Sequence, residues 1–363
     1  MADRWWIGGT GAWTNTAFWS DSPGGSGGFS VPVAGDNVYI NPMAFGYSGS
    51  FQISGASATC DDFVIANFMG PPNTITISLG DLTVRGSFSA YGADITWYPS
   101  TTLTAAAAPS QVGIYSDVTF QGPVTINAPS KTVQINSAIT ISVGGLTLTA
   151  GTLDNSVGSY TVTCNLFVSS NANTRQIKFD NGSTPATWII TGSSVSAWLT
   201  ATSTNLTTTF ISGSKIAMTS ASAKTFASGG KSYPTLVQGG TGTLTISGGP
   251  TLYELNNLYS TRRRPTTITF TSSTTTTVTN FDLQGASGSL VTINSSTAGT
   301  QATLSKSSGT VSCDYLSIRD SNATGGATWY AGANSVNVSN NTGWNFSSPS
   351  APDNTGNFLA FFG

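Results

Sequence analysis

From about residue 37 to about residue 346 the chain repeats a single texture. Short runs in which apolar residues alternate with Ser, Thr or Asn are each closed by Gly, Asn or Pro. Residues 74–79 (TITISL), 146–149 (LTLT), 243–247 (TLTIS) and 267–271 (TITFT) are clear cases. A period of two sends successive side chains to opposite faces of an extended segment, so each run reads as a strand with one apolar and one hydroxylated face. No window carries apolar residues at i, i+3, i+4 and i+7 between caps, and almost no helix is expected.

Many short strands can form a sandwich, a barrel or a solenoid, and the persistence of one texture over some three hundred residues selects the last. The predicted fold is all-β: an elongated right-handed parallel β-helix, or β-solenoid. At roughly 20 to 25 residues per coil and ~4.8 Å per stacked strand, the body would have on the order of 13 to 15 coils and a length of about 60 to 70 Å.

Three cysteine contexts resemble one another: TCDDFVI at 59–65, TCNLFVS at 163–169 and SCDYLSI at 312–318. They predict one strand type used three times. Cys60, Cys164 and Cys313 would face inward as reduced, equivalent core residues beside Phe63, Phe167 and Leu316. An odd number of widely spaced cysteines with no Cys-x-x-Cys pair argues against zinc or redox chemistry.

The termini differ from the body. Four of the nine tryptophans, Trp5, Trp6, Trp13 and Trp19, fall in a Gly-rich opening. The open end of a solenoid exposes core and unpaired strand edge, so this segment is expected to be an aromatic cap, with glycan stacking as the alternative use of the same indoles. At the other end a Ser/Pro-rich linker leads to Phe358, Leu359, Phe361 and Phe362, read as a docking tail because exposed aromatics call for a partner. The expected division is a cap over 1–40, a solenoid body over 41–346 and a short extended tail over 347–363.

Composition narrows the functions. Charged residues make up 8% of the chain, against about 25% in an average soluble domain. The net charge of −2 comes from 13 basic and 15 acidic residues, with no basic stripe; nucleic acid is not expected as a partner. The one cluster, Arg262, Arg263 and Arg264 before Pro265, reads as a solvated turn with a minor prospect of an anionic contact. Histidine is absent, which removes the commonest general base and metal ligand. No apolar stretch reaches the ~20 residues of a membrane helix, and the opening lacks the pattern of a signal peptide, so membrane insertion and export by that route are not expected.

A β-helical glycosidase would need two carboxylates about 5 to 10 Å apart across a cleft. The only glutamate is Glu254. Asp61 and Asp62 are adjacent and should point to opposite faces, and Asp314 and Asp320 should be about 20 Å apart if extended. No catalytic residue, cofactor or metal is therefore assigned.

The stretch from Gly145 (GLTLTAGTLD, then YTVTCNLFVSSNANTRQI) through ASAKTFASGG, GGTGTLTISG and TVTNFDLQGASGSLVTINSSTAGTQATLSK to SCDYLSIRDSNATGGATWYAGANSVNVSNNTGWNF, with the opening WWIGGTGAWTNTAFWS, resembles the repetitive β-helical virion proteins of tailed bacteriophages. The resemblance covers more than half of the chain. It implies a fold and a setting and brings no catalytic motif. The expectation is a non-enzymatic virion structural protein of tail-fibre or spike type, assembled in the host cytoplasm. Its partners would be other virion proteins, copies of itself (a trimer being favoured) and a host-surface glycan. A capsid decoration (head fibre) protein, a bacterial surface adhesin and a glycan-degrading tail spike are the alternatives.

Overall fold

The computed structural model describes residues 2–41, 49–66, 74–91, 95–108, 110–116, 118–194 and 196–349. Among these the only helical element is a 3-10 turn at Thr16–Phe18. The remainder is a parallel β-solenoid of about 12 turns. No described helix is long and apolar enough to cross a membrane.

Each coil visits three stacked ladders in turn. The first runs through Ala2–Trp6, Asp36–Ile40, Phe63–Ile65, Phe88–Ala90 and Gln111–Ser116, all parallel and in register. The second runs through Phe51–Gly55, Ile75–Leu79, Ile95–Trp97 and Thr119–Phe120, and later Thr187–Ile190, Lys215–Met218 and Thr235–Gln238. The third links Ala58–Cys60, Asp81–Val84 and Ser100–Leu103, and later Lys224–Ala227, Leu244–Ser247, Thr267–Phe270, Val291–Ser295, Leu316–Arg319 and Val336–Ser339. The strands of a ladder hydrogen-bond to the coils before and after them along the rod axis, so each needs only one apolar face to be stable.

The alternation seen in the sequence supplies that face. Ile75–Leu79 and Val291–Ser295 both follow a strict buried, half-buried alternation. Along the second ladder Ile53, Ile77, Trp97, Phe120, Ile141, Cys164, Ile190 and Met218 stack behind one another in the interior. Each such side chain removed from water contributes roughly 1.5 to 3 kcal/mol, and the core is one continuous column.

The coil count is lower than the uniform spacing predicts because the corners differ in length. Residues in register on successive coils are separated by as few as 15 positions, as at Trp329 and Trp344, and by as many as 42, as at Gly11 and Ile53. About 12 coils at ~4.8 Å each make a rod of roughly 58 Å.

The three cysteines are buried free thiols, but they are not equivalent. Cys60 closes a strand of the third ladder, before the corner to the first. Cys164 lies on the second ladder, before the corner to the third. Cys313 follows Thr310–Ser312, a strand of a small separate sheet that also holds Thr328–Tyr330 and Trp344–Asn345. The shared hydroxyl-Cys-Asp/Asn pattern is therefore a strand end followed by a corner, used at different corners. Phe63, Phe167 and Leu316 resume the interior on the far side.

Candidate functional site

The parallel pairing begins at Ala2, so the Trp-rich opening forms the first coil as well as its cover. Trp5 and Trp6 are consecutive in a strand and so point to opposite faces. Trp6 is buried inward, stacked on Phe18 at 4.8 Å and edge-on to Trp19 at 5.1 Å. Trp13 meets Trp19 edge-on at 4.8 Å. The indole N–H groups are satisfied: Trp6 Nε1 donates to the Gly9 carbonyl at 3.2 Å and Trp19 Nε1 to the Trp13 carbonyl at 2.7 Å. Trp5 and Trp6 also pair antiparallel with Ser20 and Trp19, which closes the strand edge on that side. Glycine at position 8 is required by packing, since a Cβ there would lie 1.9 Å from Phe18 Cδ1.

Three of the four tryptophans thus have their faces occupied by one another. Trp5 is half-buried on the outer face and stacks on Tyr39 at 4.4 Å, one coil further along. The other proposed contact residues, Phe358, Leu359, Phe361 and Phe362, lie outside the described residues. A second aromatic cluster, which sequence reasoning missed, closes the last coils: Trp329 sits 5.2 Å from Trp344 and 5.3 Å from Phe281.

The carboxylates are committed to corners. Asp61 accepts from the Gly35 amide at 3.1 Å and pairs with Arg85 at 2.9 Å, while Asp62 accepts from the Ser87 amide at 2.7 Å. Asp180 receives the Ser214 hydroxyl at 2.5 Å and the Ile211 amide at 2.9 Å. Asp154 pairs with Lys178 at 2.9 Å. Burial alone would raise the Asp154 pKa, but hydrogen bonds from Ser156 and Lys178 outweigh it and hold the carboxyl below its ordinary value. Asp314 binds the Asn334 amide group at 2.7 Å and Asp320 that of Asn340 at 2.7 Å, each tying one coil to the next. Among the described residues no group of three or more His, Cys, Asp or Glu side chains is arranged to hold a metal ion.

Several corners are instead tied by buried cations without a carboxylate partner. The Arg175 side chain is 1% exposed and donates to the carbonyls of Ser169, Asn171, Asn173 and Thr204. Lys224, also 1% exposed, donates to the carbonyls of Ser220 at 2.9 Å and Gly242 at 3.1 Å, and burial pushes its pKa down to about 8. Lys131 Nζ reaches the carbonyls of Ala105 and Ala108. The only sequence signal for these sites is a cation within a strand-like run: Arg175 and Lys224 each open a ladder strand and Lys131 lies inside Val124–Ile135.

Two shallow depressions, of about 260 and 370 Å³, share Ser130 and Thr174 and make a furrow between the third and first ladders, lined by Asn127, Thr152, Gln176 and Asn205 among others. The furrow follows from two long strands, Val124–Ile135 and Ile139–Asp154, which run round this corner with register shifts and no break. Its lining mixes hydroxyl and amide groups with Lys131, Arg175, Pro129, Ala150 and Ala172, and the described lining residues include no carboxylate. No family model, curated protein or solved structure matches this chain.

Proposed function

We propose that the chain is a non-enzymatic structural rod of a tailed-bacteriophage particle, of tail-fibre or spike type, whose hydroxyl-rich sides meet a host-surface glycan. The observation that carries the non-catalytic reading is the use made of the carboxylates: Asp61, Asp154, Asp180, Asp314 and Asp320 each hold a corner or join two coils. A carboxylate spent in this way is not available as a general acid or a nucleophile. The continuous core and the aromatic cluster at each end suit a rigid spacer, as a fibre requires. The phage setting rests on the resemblance of the repeated segments.

Adsorption competition tests the reading. Purified rod added in excess to host cells is expected to delay adsorption of the parent particle while releasing no reducing ends from host surface polysaccharide. Release of reducing ends would replace this reading with that of a glycan-degrading spike.

A further inference from the structure

The corner between the second and third ladders is short one coil before the triple arginine: Thr235–Gln238 is followed by Leu244–Ser247. After Thr251–Asn256 the same corner instead carries an antiparallel hairpin, Leu258–Tyr259 paired with Arg262–Arg263, before the third ladder resumes at Thr267–Phe270. We propose that this hairpin is a binding element for an anionic polysaccharide, with the side chains of Arg262 and Arg264 making the contacts. The inference rests on the hairpin alone and holds whether or not the rod belongs to a phage.

The hairpin is held firmly at its base. Asn257 is fully buried and binds on all sides: its amide donates to the carbonyls of Arg264 and Gln284, and its carbonyl accepts from Arg263 Nη1 and the Gln284 amide. Arg263 also grips Asp282 on the next coil at 2.5 Å. On the preceding coil the Tyr259 ring lies over Gly239, where a Cβ would come within 2.9 Å of Tyr259 Cγ. Backbone and side chains on three coils thus fix one short projection.

Of the three arginine side chains only that of Arg263 takes part in the anchoring. Arg262 and Arg264 are exposed, and among the described residues their side chains have no carboxylate or hydrogen-bond partner. These two guanidinium groups stand on an anchored hairpin of a rod in which only 8% of residues are charged, and they give it a local positive charge. Guanidinium forks match the planar geometry of carboxylate, sulfate and phosphate groups. Ser260 and Thr261, exposed at the turn of the same hairpin, offer hydroxyl groups that can bind sugar hydroxyls. With a net charge of −2 and no basic stripe, the rod is poorly suited to a nucleic-acid backbone.

The test is the equilibrium binding of the full chain to heparin as a model anionic polysaccharide, measured against salt concentration. The expected result is salt-sensitive binding that weakens about tenfold or more in R262A/R264A. The charge-matched variant K215A/K231A is expected to bind as the wild type does. Both substituted arginines are exposed, so circular dichroism and Tm of R262A/R264A should match the wild type. Equal binding by R262A/R264A and wild type, or no binding by the wild type, overturns the proposal. So does equally tight binding to duplex DNA or to phosphatidylserine vesicles.

Discussion

Trp19 donates its indole N–H to the carbonyl oxygen of Trp13 at 2.7 Å, and the same ring meets Trp6 and Trp13 edge-on. This one side chain therefore joins the start of the first coil to the segment folded over it. Trp19→Ala is expected to cost about 3 to 5 kcal/mol through the cavity and the lost ring contacts. Trp5→Ala, on the outer face, should cost about 1 kcal/mol or less. Urea unfolding of the two variants checks the contrast, and similar losses would mean that the cap is not organised around Trp19.

The thiols give the rod an alkaline limit. Burial pushes Cys164 and Cys313 up to about 12, and burial, with Asp61 and Asp62 adding to it, pushes Cys60 higher still. The folded chain keeps these protons where the unfolded chain, with thiol pKa values of about 8.5, loses them. Their contribution is complete below that pH and falls as pH rises above it, by about 1.4 kcal/mol per pH unit for each thiol. Unfolding free energies at pH 7.5, 9 and 10 are expected to decline in the wild type and to lose that decline in C60A/C164A/C313A.

Lys224 acts with the opposite sign. Its pKa is pushed down to about 8 by burial, while the unfolded chain binds that proton up to about 10.4. Between these values the unfolded state holds more protons, so this group makes the fold more stable as pH rises. Lys224→Met should remove that rise, leaving the thiol-driven decline steeper between pH 8 and 10 than in the wild type. An identical pH dependence in the two proteins would show that Lys224 stays charged in the folded state.

How much of this could be read from the sequence follows from what a period of two encodes. The alternation at residues 74–79 or 267–271 fixes a strand and its inward face, and both appear as expected. It does not say which ladder a strand joins, because all three present the same pattern. That is why the contexts of Cys60 and Cys164 read as equivalent although they precede different corners. The Trp329, Trp344 and Phe281 cluster was hidden by sequence distance. Arg175 and Lys224 were hidden because a lone cation normally reads as surface, and only the folded corner supplies the carbonyls that allow its burial.

Acid should loosen the far end first. The hydrogen bond from Asn340 keeps Asp320 below its ordinary pKa; at Asp314 burial acts upward but is outweighed by the bonds from Asn334. A lowered carboxyl pKa gives stability that is present above the unfolded value and is lost as pH falls through the folded one. Hydrogen exchange of residues 334–340 is expected to quicken below about pH 4 before that of Phe88–Ala90 in the body. Uniform exchange along the rod would contradict this.

The central claim is that this rod is a fixed component of a tailed particle, and mass spectrometry of gradient-purified particles combined with immunogold labelling tests it most directly. The expected result is the intact chain at a constant copy number per particle, with gold at a projecting fibre or spike. Its absence from purified particles, with the chain recovered only in the soluble fraction or on the bacterial surface, would contradict the account.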